Sequence, residues 1–215
     1  MRKSTDKLIE HLSGTATPVK PLLPPSIRAL MVLLPTLFVM ALVAWKMGNL
    51  QLVLPAFANP PFAIAFFASL ATGILSVLAA LNISIPGRSD VWGWIPVIPA
   101  IAWVGAGVWE CAVYVQQAGV HDYNVFASAD CFAFIVMTGT VVAMTLYYML
   151  RNSVSTDLFA ITALGGLGAA TLANALLTFF HPPGTNPVDF LTHLTAVTGL
   201  IAYMATLGRS ALGET

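Results

Sequence analysis

Apolar residues in this chain neither alternate nor recur on one face of a helix. They continue through long stretches broken by short polar punctuation. Six stretches reach the ~20 mostly apolar residues that a helix needs to cross a bilayer: 29–48, 61–81, 92–115, 131–150, 158–180 and 188–207. Each break carries residues whose short side chains accept from the free amides of a first helical turn, or prolines suited to it. These are Asn59-Pro60-Pro61, Ser89-Asp90, Ser128-Ala129-Asp130, Ser155-Thr156-Asp157 and Asn186-Pro187. The expected fold class is therefore an all-α integral membrane protein. Short connections would make neighbouring helices antiparallel in one six-helix bundle. This divides the chain into an amino-terminal arm, 1–28, a transmembrane domain, 29–207, and a short tail, 208–215.

Composition agrees. Of 215 residues 58% are hydrophobic and only 8% charged, against about a quarter charged in an ordinary soluble domain. Mean hydropathy is +0.83. A cleavable signal peptide is not expected, because the first apolar run follows too long a polar segment. Formal net charge is zero, which removes the case for direct nucleic-acid binding through a basic surface.

Charge placement sets orientation. With the amino terminus in the cytoplasm, Arg2, Lys3, Lys7, Lys20, Arg28, Arg88, Arg151 and Arg209 fall inside, and Lys46 alone of the nine basic residues falls outside. Both termini are expected to be cytoplasmic. Trp45, Trp92, Trp94, Tyr147, Tyr148 and Tyr203 fall near expected interfaces, as aromatic belts do.

On this topology the polar residues gather on the external side. HPPGTNPVDFLTH, 181–193, forms the last external loop and opens the sixth run. Asp189 and His193 are four apart and share a helix face. Glu110 and Cys111 lie near the end of the third run, His121 and Asp122 in the following loop, and Asp130 and Cys131 at the start of the fourth run. Asp189 and Asp130 suit capping positions, where a carboxylate complements the helix dipole. Cys111 suits a small core position. Glu110 and His193 are harder to account for, because an ionisable group within a span is costly and needs a partner or a function. A Glu110–His193 or Asp189–His193 pair is one answer. Another is a divalent metal site at the periplasmic face, drawn from Cys111, Cys131, His181, Asp189, His193 and Glu110. A third is a Cys111–Cys131 disulfide in an oxidising compartment. Nucleophile elbows, HExxH zinc motifs, phosphate-cradling glycine loops and closely paired cysteines are all missing, so an enzyme is not expected.

Two further segments stand out. In ALGGLGAATLANA, 163–175, small residues recur at four-residue spacing, which lets another backbone approach closely. Packing within the bundle is the leading explanation, and a homodimer through this fifth span the other; Asn174 is expected to bond a neighbouring helix. In the arm, Leu8, Ile9 and Leu12 sit at helical spacing, so 4–12 would form a short amphipathic helix. The prolines of TPVKPLLPP keep the next stretch extended. The arm is either a solvated tail or a docking segment for a cytoplasmic partner.

Four motifs occur in order: PVKPLLPPSIRAL at 18–30, IPGRSDVWGW at 85–94, ADCFAFI at 129–135 and HPPGTNPVDFLTH at 181–193. With them the chain resembles the NrsF-type anti-sigma factors over nearly its whole length. The resemblance implies a regulator of the bacterial inner membrane. It would hold an extracytoplasmic-function sigma factor through Leu8, Ile9, Leu12, Pro18, Val19 and Pro21 of the arm, and release it on an external metal or oxidant stress. It places Cys131 and 181–193 on the sensing side. Some relatives carry a second cysteine near the position of His181; here that position is histidine and the other cysteine is Cys111, which leaves a mixed Cys/His site open. The rival reading is a small transporter or channel using Glu110 and His193, with an external-face enzyme behind it.

Overall fold

The structure is a computed structural model that describes residues 2–15, 22–118, 125–151 and 157–213. Every regular element among the described residues is a helix: α1 (Arg2–Thr15), α2 (Pro25–Met47), α3 (Leu50–Ala56), α4 (Pro60–Ile83), α5 (Val91–Trp94), α6 (Val97–Ala118), α7 (Val125–Leu150), α8 (Leu158–Leu177) and α9 (Pro187–Gly213). Six helical segments are long and apolar enough to cross a membrane, one for each apolar run, so the chain is a multi-pass membrane protein.

Local chemistry explains the boundaries. α2 and α4 begin with proline in the first turn, where the missing N–H costs nothing. Asp157 caps α8 by accepting from the Ala160 amide at 2.9 Å. Asn186 caps α9 by accepting from the Val188 and Asp189 amides, both at 2.9 Å. Asn59 and Asp90 precede their helices but make no side-chain cap; at the second, the Ser89 hydroxyl accepts from the Val91 amide. Ser128-Ala129-Asp130 is not a helix start. α7 begins earlier, at Val125, because polar residues at an exposed position suit a helical turn as well as a cap, and Asp130 is exposed on its second turn. The expected tail after 207 is likewise a continuation of α9 to Gly213. Ser155 and Thr156 lie outside the described residues.

α8 occupies the axis, packed by α4, α7 and α9. Its small residues make this geometry available. A methyl group built on Gly166 would stand 2.9 Å from the Leu200 carbonyl oxygen and 3.0 Å from Ile201 Cα on α9. One built on Gly168 would stand 3.1 Å from the Gly73 carbonyl oxygen on α4. Gly165, Gly166, Ala169, Ala170 and Ala173 are all buried, so the small-residue stripe is consumed inside the chain. Its burial agrees with packing within the bundle, the leading explanation of the stripe. Hydrogen bonds join α8 to α4: Asn174 Nδ2 donates to Ser69 Oγ at 3.0 Å, and Ser69 Oγ to the Thr171 carbonyl at 2.9 Å.

The helices alternate in direction, and each end of the bundle is tied. At one end Arg28, only 4% exposed, donates to the Met149 carbonyl at 2.8 Å and to Ser84 Oγ at 3.4 Å. It thus joins the first turn of α2 to the last turns of α4 and α7. Arg209 stacks on Phe159 and Arg151 on Tyr148 at this same end. At the other end the Asn49 amide donates to the Phe179 carbonyl at 2.8 Å, and Lys46 lies over Trp45.

Because the obstacle at Gly166 is backbone, Gly166→Ala is expected to destabilise the bundle by about 1–3 kcal/mol. Gly105, around which a methyl group meets nothing within 4 Å, should tolerate alanine with no loss, or gain roughly 0.5–1 kcal/mol. Thermal unfolding of the two variants in one detergent tests this. Equal midpoints would contradict a backbone contact at Gly166.

Candidate functional site at the Asn49–Asp189 end

The second tied end carries the chain's unusual chemistry. After α8 the sequence His181-Pro182-Pro183 cannot continue a helix. Gly184 then takes a left-handed conformation, φ +99°, which glycine adopts without strain. Asn186 caps the next helix and, through its Nδ2, also donates to Asp189 Oδ2. This tight reversal folds His181 back over the first turn of α9, where its Nε2 lies 3.4 Å from Asp189 Oδ2. The His181 Nδ1 is 2.8 Å from the Pro182 carbonyl oxygen.

Cys131, on the second turn of α7, completes the group. One ligating atom each of Cys131, His181 and Asp189 lies within 4.8 Å of the other two. Cys131 and Asp189 are buried and His181 is partly so. A thiol, an imidazole and a carboxylate form a donor set suited to a soft or borderline divalent metal, with a fourth position left for water. Metal bonds of about 2.0–2.3 Å set tetrahedral ligands about 3.3–3.8 Å apart, and His181 Nε2 and Asp189 Oδ2, at 3.4 Å, already stand at that spacing.

The other sequence candidates separate from this trio. Cys111 is a half-buried thiol on α6, and it is not joined to Cys131 as a disulfide. Glu110, 6% exposed, accepts from the Thr185 hydroxyl through Oε2 at 2.6 Å. Asp189 pairs with His181, and His193 Nε2 has no hydrogen-bond partner. Neither the Glu110–His193 nor the Asp189–His193 pair forms, because the 181–186 reversal supplies nearer partners to both carboxylates. His193 instead meets His181 edge to face, ring centroids 6.1 Å apart. His121 and Asp122 lie outside the described residues. Sequence reading missed Thr185, whose role depends on the reversal, and Arg28, which looked only like a topology charge.

Small polar side chains, among them Ser69, Thr72, Ser76, Thr162 and Thr171, are buried along the described interior. The buried hydroxyls of Thr72, Thr162 and Thr171 turn back onto carbonyls of their own helices. Beyond them the axis is filled by Val77, Leu81, Leu146, Leu150 and Ile161, each at most 1% exposed. At the far amino-terminal side, α1 presents Leu8, Ile9 and Leu12 at 56%, 59% and 58% exposure. Pro18, Val19 and Pro21 lie outside the described residues.

The fold and these two features define a class: a multi-pass membrane bundle with a polar cluster at one end and an exposed apolar helix near its amino terminus. A family model described as negative regulator of sigma F (NrsF) matches residues 12–212, and the chain belongs to that family. No curated protein and no solved structure matches the chain.

The His181–Asp189 pair carries a pH signature. The hydrogen bond with Asp189, then that with Cys131, push the His181 imidazole up to about 10 against the opposing effect of burial. A group raised in the folded state stabilises fully below its ordinary value of 6.5 and loses that contribution as pH climbs toward about 10. In metal-free protein, the melting advantage of wild type over His181→Gln should therefore shrink from pH 6.5 to 10. An advantage that stays constant across the range would contradict a charged His181.

Proposed function

We propose that this protein is a membrane-bound anti-sigma factor that acts by binding and not by catalysis. It sits in the bacterial inner membrane with both termini in the cytoplasm and holds an extracytoplasmic-function sigma factor through its amino-terminal arm. It releases that factor when the periplasmic end meets a metal or oxidant. The observation that carries this reading is the family match over 12–212, which makes the chain a negative regulator of a sigma factor.

Three features support the finer reading. Leu8, Ile9 and Leu12 give α1 an exposed apolar face of the kind that docks into a partner's groove. Arg28, Arg88, Arg151 and Arg209 fall on the side opposite Lys46, the asymmetry expected when the arm's side is cytoplasmic. Cys131, His181 and Asp189 gather at the other end with donors that take a soft or borderline metal. α7 carries Cys131 near its start, and the carbonyl that Arg28 grips near its finish. An ion drawing Cys131 toward the 181–189 reversal would load this helix, and the root of the arm is bonded to its other end. Release requires two packings whose balance the ion biases.

Two outcomes follow. When the tagged chain is gently solubilised with its membrane, a sigma factor should co-purify, and should be absent from a variant lacking residues 1–24. Leu8, Ile9 and Leu12 changed together to serine should weaken binding by at least about a hundredfold, given the apolar area lost. Recovery of no sigma factor with the full chain, although one is expressed, would overturn the reading. In cells, Cys131→Ser should keep the sigma factor bound under metal or oxidant challenge; normal induction in that variant would remove Cys131 from the sensing site.

A further inference from the structure

The same end of the bundle holds a second polar centre that the trio does not use. A cavity of about 50 Å³ lies among α4, α6, α8, α9 and the reversal between the last two. Glu110, Asn174 and His193 line it, and each has a buried polar atom without a hydrogen-bond partner: Glu110 Oε1, Asn174 Oδ1 and His193 Nε2. The opposite atoms of two of these side chains are fixed by the protein. Glu110 Oε2 accepts from Thr185, and Asn174 Nδ2 donates to Ser69. Glu110 and Asn174 are 6% and 7% exposed, so neither oxygen is answered by bulk solvent. A carboxylate oxygen and an amide oxygen only accept, and an imidazole nitrogen accepts in one tautomer. Burying such acceptors unanswered is costly, and grouping them around one cavity calls for a positively charged or donor-rich occupant.

We infer that this cavity binds a small divalent cation, taken up with part of its water shell and neutralised by Glu110, with Asn174 and His193 as its other protein donors. The space suits this, since one water needs only ~10–15 Å³ of such volume. The donor set also suits it. Carboxylate, amide carbonyl and water favour hard ions such as Mn²⁺, and imidazole extends the range to borderline ones. The walls add Phe62, Trp103 and Phe190, aromatic rings whose faces attract cations. The site is distinct from the thiol-bearing trio, yet His181 lines the cavity as well as meeting Asp189. The inference does not rest on the anti-sigma reading.

The test uses the full chain in nanodiscs, stripped with chelator and dialysed against Mn²⁺. Bound ion is read by electron paramagnetic resonance and elemental analysis. One Mn²⁺ per chain is expected. Glu110→Gln, which can still accept from Thr185, should weaken binding by about tenfold or more, and His193→Gln should weaken it less. Cys131→Ser should leave Mn²⁺ binding unchanged, which separates this site from the trio and from the fate of the anti-sigma proposal. Circular dichroism confirms that each variant is folded. Absence of bound Mn²⁺, equal binding by Glu110→Gln, or loss of binding in Cys131→Ser would each overturn the assignment.

Discussion

Close backbone approach at α8 is the constraint on which the remaining structure depends. In a bilayer there is no hydrophobic gain from bringing apolar helices together, so association relies on packing and on interhelical hydrogen bonds. Gly166 and Gly168 let α9 and α4 reach the axis helix at van der Waals range. The Asn174–Ser69–Thr171 chain of hydrogen bonds then fixes the register of α8 against α4. With α8 so placed, Leu177 ends it beside Cys131 and Ile135 of α7, and the polypeptide must reverse there. The 181–186 reversal, the Cys131–His181–Asp189 trio and the cavity beside it all follow from where that axis helix ends.

The bundle is polar in different ways at its two ends. One end gathers a thiol, two imidazoles and two carboxylates within a few side chains of each other. The other is closed by a guanidinium holding a helix-end carbonyl, Arg28 on Met149, which answers one of the acceptors every helix leaves free at its carboxyl terminus. Between them the buried interior is mostly aliphatic, with small polar side chains such as Thr72, Ser76 and Thr162 interspersed. α7 carries Cys131 toward one end and the Met149 carbonyl that Arg28 holds toward the other, about 27 Å apart along its axis. For a negative regulator of a sigma factor, the reading proposed above would use this separation to keep sensing chemistry and partner contact at opposite membrane faces.

Much of this was legible in the amino-acid order, for identifiable reasons. Apolar run length is a direct consequence of bilayer thickness, so all six spans could be read off, and Asp157 and Asn186 announced their helices because capping is local chemistry. Ser128-Ala129-Asp130 misled because polar residues at a membrane surface also suit an exposed helical turn, and α7 continues through them. The short α3, Leu50–Ala56, was hidden because its apolar residues blur into the neighbouring runs. The candidate site was legible as a collection but not as a set of partners. Which carboxylate meets which histidine depends on Gly184 and on the direction of the reversal, and spacing alone suggested Asp189–His193 where the fold makes Asp189–His181. Arg28 could not be distinguished from the other basic residues until its burial was known.

The central claim is that chemistry at the Cys131 end controls a partner held at the arm's end. It is tested most directly in proteoliposomes that present the arm outward with a fluorescent sigma factor bound, by delivering Cd²⁺ or Zn²⁺ to the lumen alone. The account predicts that luminal metal releases the sigma factor from wild type and leaves it bound to a Cys131→Ser, His181→Gln double variant. Release that is equal in the two proteins, or retention in both, would contradict it.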